Sequence, residues 1–375
     1  MTPFGITAPP RILFGRGEAA KAPSLLQSFG QIGLVVHGSE KVRAAWLVDA
    51  LGPGMRTIAC RGEPTLADLL AALETARDGR VDWVVAIGGG AALDLGKALA
   101  ALIPAAADPM QYLEVVGKGR PLDSHPLPFI ALPTTAGTGA EVTKNAVIGL
   151  PKLGRKVSLR DERMVARLAI VDPALTDHCP RGVTLASGLD AVTQVIEPFV
   201  SLRSTPYTDA LARPSIAAGL RALQVLMAGE DPEARDRMAW VSLCGGLALS
   251  NAGLGAVHGL AGVIGGLTGA AHGAICGALL GPVLRANRAA ATGAARERLD
   301  EVCAVLGDVL ACDSDRAPVA LQEWARGAGL PGLAALGVTD RMHGEIVEAA
   351  QTASSMMGNP VALGATALRG VLEAA

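Results

Sequence analysis

Residues 245–284 read GGLALSNAGLGAVHGLAGVIGGLTGAAHGAICGALLGPVL, without one formal charge. A run of about 20 apolar residues is long enough to span a bilayer. Here, however, glycine interrupts every few positions and no Lys/Arg-rich flank sets an orientation. His258 and His272 would also both need partners in lipid. The composition instead predicts two close-packed helices deep in a globular domain, with small residues letting the backbones approach and two imidazoles entering one pocket. One continuous helix would hold the histidines ~21 Å apart at ~1.5 Å per residue, whereas a shared metal ion needs both nitrogens at roughly 2.0–2.1 Å. Gly265-Gly266 and Gly269 are the places for the chain to turn back. Two unrelated, hydrogen-bonded core histidines are the competing reading.

Working outward, 375 residues allow two domains and a large core, and a mean hydropathy of +0.37 excludes a disordered chain. Aromatic residues make up only 3%, so Ala, Leu, Val and Gly must fill that core. A net charge of −2 with no basic run argues against nucleic acid as a partner. Cys60, Cys179, Cys244, Cys276, Cys303 and Cys312 are scattered and form no CxxC, which predicts free thiols in a reducing cytoplasm. The opening MTPFGITAPPRILFG lacks a basic segment followed by an apolar one, so no signal peptide is expected.

Strand patterns lie at 11–14, 33–36, 83–87, 129–132 and 168–171, with helices over 91–103 and after Thr65, which Asp68 equips for a capping box. Such alternation predicts an α/β domain with a parallel sheet. Beyond Cys179 the patterns are helical: 188–201, 206–227, 234–249, 296–310 and 318–328. The expected division is therefore an α/β domain over 1–178 and an all-α domain over 179–375.

Three motifs carry chemistry. AIGGGAALDLGKA (Ala86 to Ala98) runs a strand into Gly88, Gly89 and Gly90 and then a helix, an arrangement of bare amides suited to a pyrophosphate, with Asp94 and Lys97 one turn apart. The same motif also reads as a tight turn with a surface Asp/Lys pair. LPTTAGTGAEVT (Leu132 to Thr143) offers Thr134, Thr135 and Thr138 to a ribose, base or phosphate, or else satisfies itself as a Thr/Gly loop. GLDAVTQVIE (Gly188 to Glu197) puts Asp190 and Gln194 on one helical face. Asp190 is either an oxygen ligand beside the histidines or a carboxylate offsetting the helix dipole. His125, His178 and His343 sit among polar or turn residues and are expected to be exposed.

IGGGAALDLGKA, PTTAGTGAEVT, VDPALT, GLDAVTQVIE and the His258-to-His272 spacing, together with ILFGRG, GEPT, GPVLRAN and Asn359-Pro360, occur in the order and register of the iron-containing (group III) alcohol dehydrogenases, and the chain resembles that family over almost its whole length. The resemblance implies a dehydroquinate synthase-like fold, with an α/β dinucleotide-binding domain over 1–178 and an all-α metal-binding and substrate domain over 179–375. It also implies that Gly88, Gly89, Gly90 and the strand-end residues Gly38 and Ser39 serve the dinucleotide, with Asp94, Thr134, Thr135 and Thr138 beside it and Lys156 near the nicotinamide ribose. Asp190, Gln194, His258 and His272 occupy the metal-ligand positions, and Asp190, His258 and His272 are the catalytic candidates. The implied reaction is metal-assisted, NAD(P)-dependent interconversion of an alcohol with an aldehyde or ketone.

The sequence departs from the family pattern where Gln194 replaces a histidine ligand, where Gly262 replaces a histidine placed for proton relay, and where Ala91 follows the three glycines. An amide oxygen suits Fe²⁺ or Zn²⁺ less well than imidazole, so the metal is expected to be weakly held or absent. The absence of an acid at His37-Gly38-Ser39 favours NADP over NAD. A maleylacetate reductase-like ketone reductase with little metal dependence is the nearest alternative. A dehydroquinate synthase-type lyase and a non-catalytic binding module rank behind it. The remaining expectations are a small-molecule alcohol or carbonyl substrate, no membrane partner, a cytoplasmic location and a homo-oligomer, a dimer by the family resemblance.

Overall fold

The computed structural model describes residues 3–375. Its chain divides into two compact units, one of Thr7–Thr135 with Gly139–Asp177, the other of Ala136–Thr138 with His178–Ala375 and the N-terminal stretch ending at Ile6.

The first unit is an α/β sandwich. Its elements in order are β1 (Ile12–Phe14), α1 (Ala22–Leu26), β2 (Gly33–His37), α2 (Val42–Leu51), β3 (Arg56–Ala59), α3 (Leu66–Arg77), β4 (Trp83–Gly88), α4 (Gly90–Leu102), β5 (Phe129–Pro133), β6 (Asn145–Leu150), β7 (Arg155–Arg160) and β8 (Leu168–Val171). Six strands form one parallel sheet in the order β1-β8-β5-β4-β2-β3. Central strands are buried at every position, and apolar but for His37 at the end of β2, because helices cover both faces. Leu34, Val36, Val84, Ala86 and Ala131 pack against α3 and α4, whereas Val35, Val85, Ile87, Ile130 and Leu132 pack against α1 and α2. The capping box on α3 forms: Thr65 accepts from the Asp68 amide, and Asp68 accepts from the Thr65 amide at 2.9 Å. The sequence reading had no strands at β3, β6 or β7. The last two form a separate antiparallel hairpin.

That strand order fixes where a ligand fits. From β2 the chain moves outward to β3, then crosses back to β4 and continues to β5 and β8. The turns after β2 and β4 therefore diverge to opposite faces, and a crevice opens outside the carboxyl ends of these two strands. Gly38 and Gly88 end on that crevice: a side chain on Gly88 would lie 3.3 Å from the Gly38 nitrogen and 2.6 Å from Ala92 Cβ.

The second unit is helical, with α5 (Arg181–Val200), α6 (Pro206–Ala228), α7 (Pro232–Ala252), α8 (Ala256–Thr268), α9 (His272–Ala290), α10 (Gly293–Leu310), α11 (Ala317–Gly327), α12 (His343–Gln351) and α13 (Ala365–Ala374). The helix α5, buried along most of its length, packs against α6, α7 and α9. It starts well before the expected Gly188, at Arg181, where the Thr184 amide donates to Pro180 O at 2.8 Å. The uncharged stretch is broken as its glycines require. Gly269, at φ 71°, ends α8 in the left-handed region, and α9 starts at His272, while Gly265 and Gly266 lie inside α8. Among the described residues no single helix is long and apolar enough to cross a membrane; α7 and α8 pass such a test only as a pair bent by 99°.

One expectation needs correction, and one open alternative is closed. His343 is buried, not exposed, because α12 turns positions 343, 346, 347 and 350 toward the core. Lys97 does not belong to a surface pair. It is 1% exposed, and its ammonium donates to Ala140 O (2.6 Å), Thr143 Oγ1 (2.9 Å) and Asn145 O (2.9 Å), holding the 140–145 loop to α4.

Candidate active site

In the α/β unit the dinucleotide candidates gather at the crevice. Gly89 caps α4 and Gly90 opens it. The Thr134 amide donates to Gly88 O at 2.9 Å, and a side chain on Gly89 would meet Thr135 Oγ1 at 3.2 Å. The glycine turn after β4 and the threonine turn after β5 thus stand side by side on neighbouring strands. Gly38 has open space where a side chain would be, and Ser39 is exposed. Asp94 faces the hairpin and accepts from the Val147 amide at 3.1 Å. Lys156 lies on β7 and pairs with Glu63. Thr138 belongs to the helical unit, together with Gly137, whose carbonyl accepts from Gln194 Nε2 at 3.3 Å.

In the helical unit three helices bring the metal candidates together. Asp190 lies mid-way along α5, His258 in the first turn of α8, and His272 at the start of α9. The two imidazole rings are 5.3 Å apart between centroids. Asp190 Oδ1 is 3.3 Å from His258 Nε2 and 4.0 Å from His272 Nε2. Asp190 is 1% exposed, yet this oxygen accepts no well-formed hydrogen bond. A buried carboxylate oxygen left in that state is costly unless a cation meets it. Two unrelated core histidines would not converge in this way.

Two residues that the sequence reading did not assign complete the cluster. The first is Glu197, whose Oε2 accepts from His258 Nδ1 at 2.6 Å and whose Oε1 accepts from the Val257 amide at 2.7 Å. It fixes the ring orientation, so that Nε2, the atom that carries the lone pair when the ring is neutral, faces Asp190. Its signal was present in the sequence: positions 190, 194 and 197 share one helical face. The second is Cys276, one turn after His272, with Sγ 3.5 Å from His272 Nε2. Donor atoms of Asp190, His258, His272 and Cys276 all lie within 4.8 Å of one another. Gln194 is buried with Oε1 unpartnered, while its nitrogen is engaged by Gly137. No side chain occupies the position of Gly262.

Charge follows this geometry. Burial opposes ionisation of Asp190, but His258 and His272 outweigh it and hold the carboxyl below its usual range. Burial likewise depresses His272, yet Cys276 and Asp190 lift it to about 9, and His258 is raised in the same way by Cys276, Glu197 and Asp190. In the absence of metal, protons on the imidazoles stabilise the acidic groups. A divalent cation fits the same place: one carboxylate, two oriented imidazoles and a thiol are the donors that Zn²⁺ and Fe²⁺ accept.

An open parallel sheet with a glycine turn at its crossover point, joined in one chain to a carboxylate–imidazole cluster on helices that could hold a metal ion, is the arrangement of a two-domain oxidoreductase. Comparison with known proteins is specific. The profile described as iron-containing alcohol dehydrogenase matches residues 9–173, and that of the Fe-containing alcohol dehydrogenase family C-terminal region matches residues 184–375. A relative named probable alcohol dehydrogenase EutG, from Escherichia coli strain K12, is 32% identical over 364 residues, 94% of this chain and 90% of its own. The protein of the same name from Salmonella typhimurium is 41% identical over 201 residues, which span 53% of this chain and only 50% of that protein. The crystal structure of sulfoacetaldehyde reductase from Bifidobacterium kashiwanohense in complex with NAD⁺ superposes with a TM-score of 0.86 at 28% identity, covering 100% of this chain and 98% of that one. The chain belongs to the iron-containing alcohol dehydrogenase family.

Proposed function

We propose that the protein interconverts a small alcohol and its aldehyde or ketone, with hydride passing to or from the nicotinamide of NADP or NAD. The observation that carries this reading is the convergence on three helices of buried Asp190 and His258 and half-buried His272, with the Asp190 Oδ1 left without a well-formed hydrogen bond. A divalent metal held by these residues would supply Lewis acidity, which polarises a carbonyl and lowers the pKa of an alcohol. Asp190 and the two imidazoles orient the substrate oxygen, and Glu197 holds His258 in register. Gly88, Gly89 and Gly90 receive the pyrophosphate, with Thr134, Thr135 and Thr138 on the nucleotide. Asp94 and Lys156 act by holding the hairpin nearby. Gly38 leaves room for a 2′-phosphate, with Ser39 and Lys41 exposed beside it, which supports NADP. A cytoplasmic homo-oligomer acting on a small-molecule substrate, with no nucleic-acid or membrane partner, completes the proposal.

The test is metal analysis of protein purified without chelator, paired with NADH and NADPH oxidation over a panel of small aldehydes and ketones. Bound metal, loss of turnover in EDTA and recovery on adding Zn²⁺ or Fe²⁺ are expected. Metal-free protein whose activity survives EDTA would refute the metal-assisted reading and favour a maleylacetate reductase-like ketone reductase, the alternative to which Gln194 and Gly262 point.

A further inference from the structure

We propose that Cys276 is the fourth protein donor of the Asp190–His258–His272 centre, in place of Gln194, and that the centre therefore prefers Zn²⁺ to Fe²⁺. The inference rests on the metal reading given above and extends it to a residue that reading does not use.

The argument begins with position. Cys276 is fully buried on α9, one turn beyond His272, so its sulfur projects on the same face. A tetrahedral ion with bonds of roughly 2.0–2.3 Å places its donors some 3.3–3.8 Å apart. Observed separations are 3.3 Å from Asp190 Oδ1 to His258 Nε2, 3.5 Å from Cys276 Sγ to His272 Nε2 and 4.0 Å from Asp190 Oδ1 to His272 Nε2. Only small side-chain shifts separate the four donors from a closed set. Asp190 Oδ1, buried and without a hydrogen bond, is an independent sign that a cation belongs there.

Gln194 is poorly placed for the same duty. Its Nε2 donates to Gly137 O, which ties the amide to that carbonyl. Its Oε1 is buried without a partner, but as a neutral amide oxygen it is a weaker donor to Zn²⁺ than a thiolate. A thiolate is also the softer ligand, and sulfur with imidazole selects Zn²⁺ where oxygen-rich sets suit harder ions. Binding releases to solvent the protons that the cysteine–imidazole cluster holds as the metal–sulfur and metal–nitrogen bonds form.

Cobalt substitution of the full-length protein tests this without recourse to activity. Stoichiometric Co²⁺ should give the intense near-ultraviolet band of a thiolate ligand, absent from C276S and retained in Q194A. C276S, verified as folded by circular dichroism and dinucleotide binding, should lose Zn²⁺ affinity by more than the roughly 10–100-fold that loss of an orienting neighbour produces. Bound Co²⁺ without the band, or a band that survives C276S, would overturn the assignment and leave the metal reading standing. Wild-type protein that binds no Co²⁺ at all would overturn both.

Discussion

Replacing Glu197 by glutamine isolates what one buried carboxylate does for the metal centre. Glu197 lies on α5, two turns beyond Asp190, and both its oxygens are used: one accepts from His258 Nδ1 at 2.6 Å, the other from the Val257 amide at 2.7 Å. E197Q keeps the shape and one acceptor. If the amide oxygen stays on Val257, its NH₂ opposes the Nδ1 proton and the favoured tautomer is lost. If it turns to Nδ1, the Val257 amide is buried without a partner. Either arrangement costs about 1–3 kcal/mol for the unsatisfied group. Because the orientation of His258 Nε2 depends on that bond, part of the cost appears in metal binding, at roughly 10–100-fold in affinity or ~1.4–2.7 kcal/mol. Competition titration of Zn²⁺ against a chromophoric chelator measures it directly, with dinucleotide affinity as the control for folding. A variant with wild-type Zn²⁺ affinity and a normal melting temperature would refute the claim that Glu197 sets the ligand geometry.

Three further outcomes are expected. Gly88→Val forces a side chain into the 2.6 Å gap to Ala92 Cβ; it should destabilise the α/β unit by about 1–3 kcal/mol and weaken dinucleotide binding in calorimetry more than metal binding. Glu141 is held by burial at a pKa of about 7, raised from 4.5. The folded state therefore keeps a proton that the unfolded chain has already lost between pH 4.5 and 7, so stability is greatest below that window and falls as pH rises through it, by up to about 3 kcal/mol. E141Q should flatten that slope in denaturant titrations at several pH values, and an unchanged slope would clear Glu141. Gly262→His meets open space on α8 and gains a few tenths of a kcal/mol in helix propensity. It should fold normally and add an ionisation near pH 6.5 to the kcat profile, whereas superimposable profiles would show that no relay passes this position.

What the sequence revealed and what it hid follow one physical line. Continuous apolar strands such as Trp83 to Ile87, the Thr65–Asp68 cap and the Gly269 break are local signals, and the fold uses them where they stand. The convergence of Asp190 with His258 and His272 was inferable because two imidazoles in an uncharged stretch need a shared purpose. Lys97 was hidden for the opposite reason. A lysine after a glycine turn reads as exposed unless three acceptors from 140–145 are known to surround it. Cys276 was equally silent: among scattered cysteines nothing marks one as a ligand until the α8–α9 turn sets its sulfur beside an imidazole.

The helix face bearing Asp190, Gln194 and Glu197 explains how the family's usual histidine at 194 can be absent without dismantling the site. His258 is gripped from both ends, Nε2 toward Asp190 and Nδ1 on Glu197, so its position does not depend on the residue between them. What position 194 must satisfy is packing. A side chain on Gly245 of α7 would lie 3.1 Å from Gln194 Cβ, so a glycine there is what lets the two helices close on the glutamine. An imidazole at 194 would have to point into the space where Asp190, His272 and Cys276 already converge. A glutamine can bond the Gly137 carbonyl instead and leave that space to sulfur. On the Cys276 proposal, the glutamine at 194 and the cysteine at 276 are one change in the chemistry of the centre, expressed on two helices.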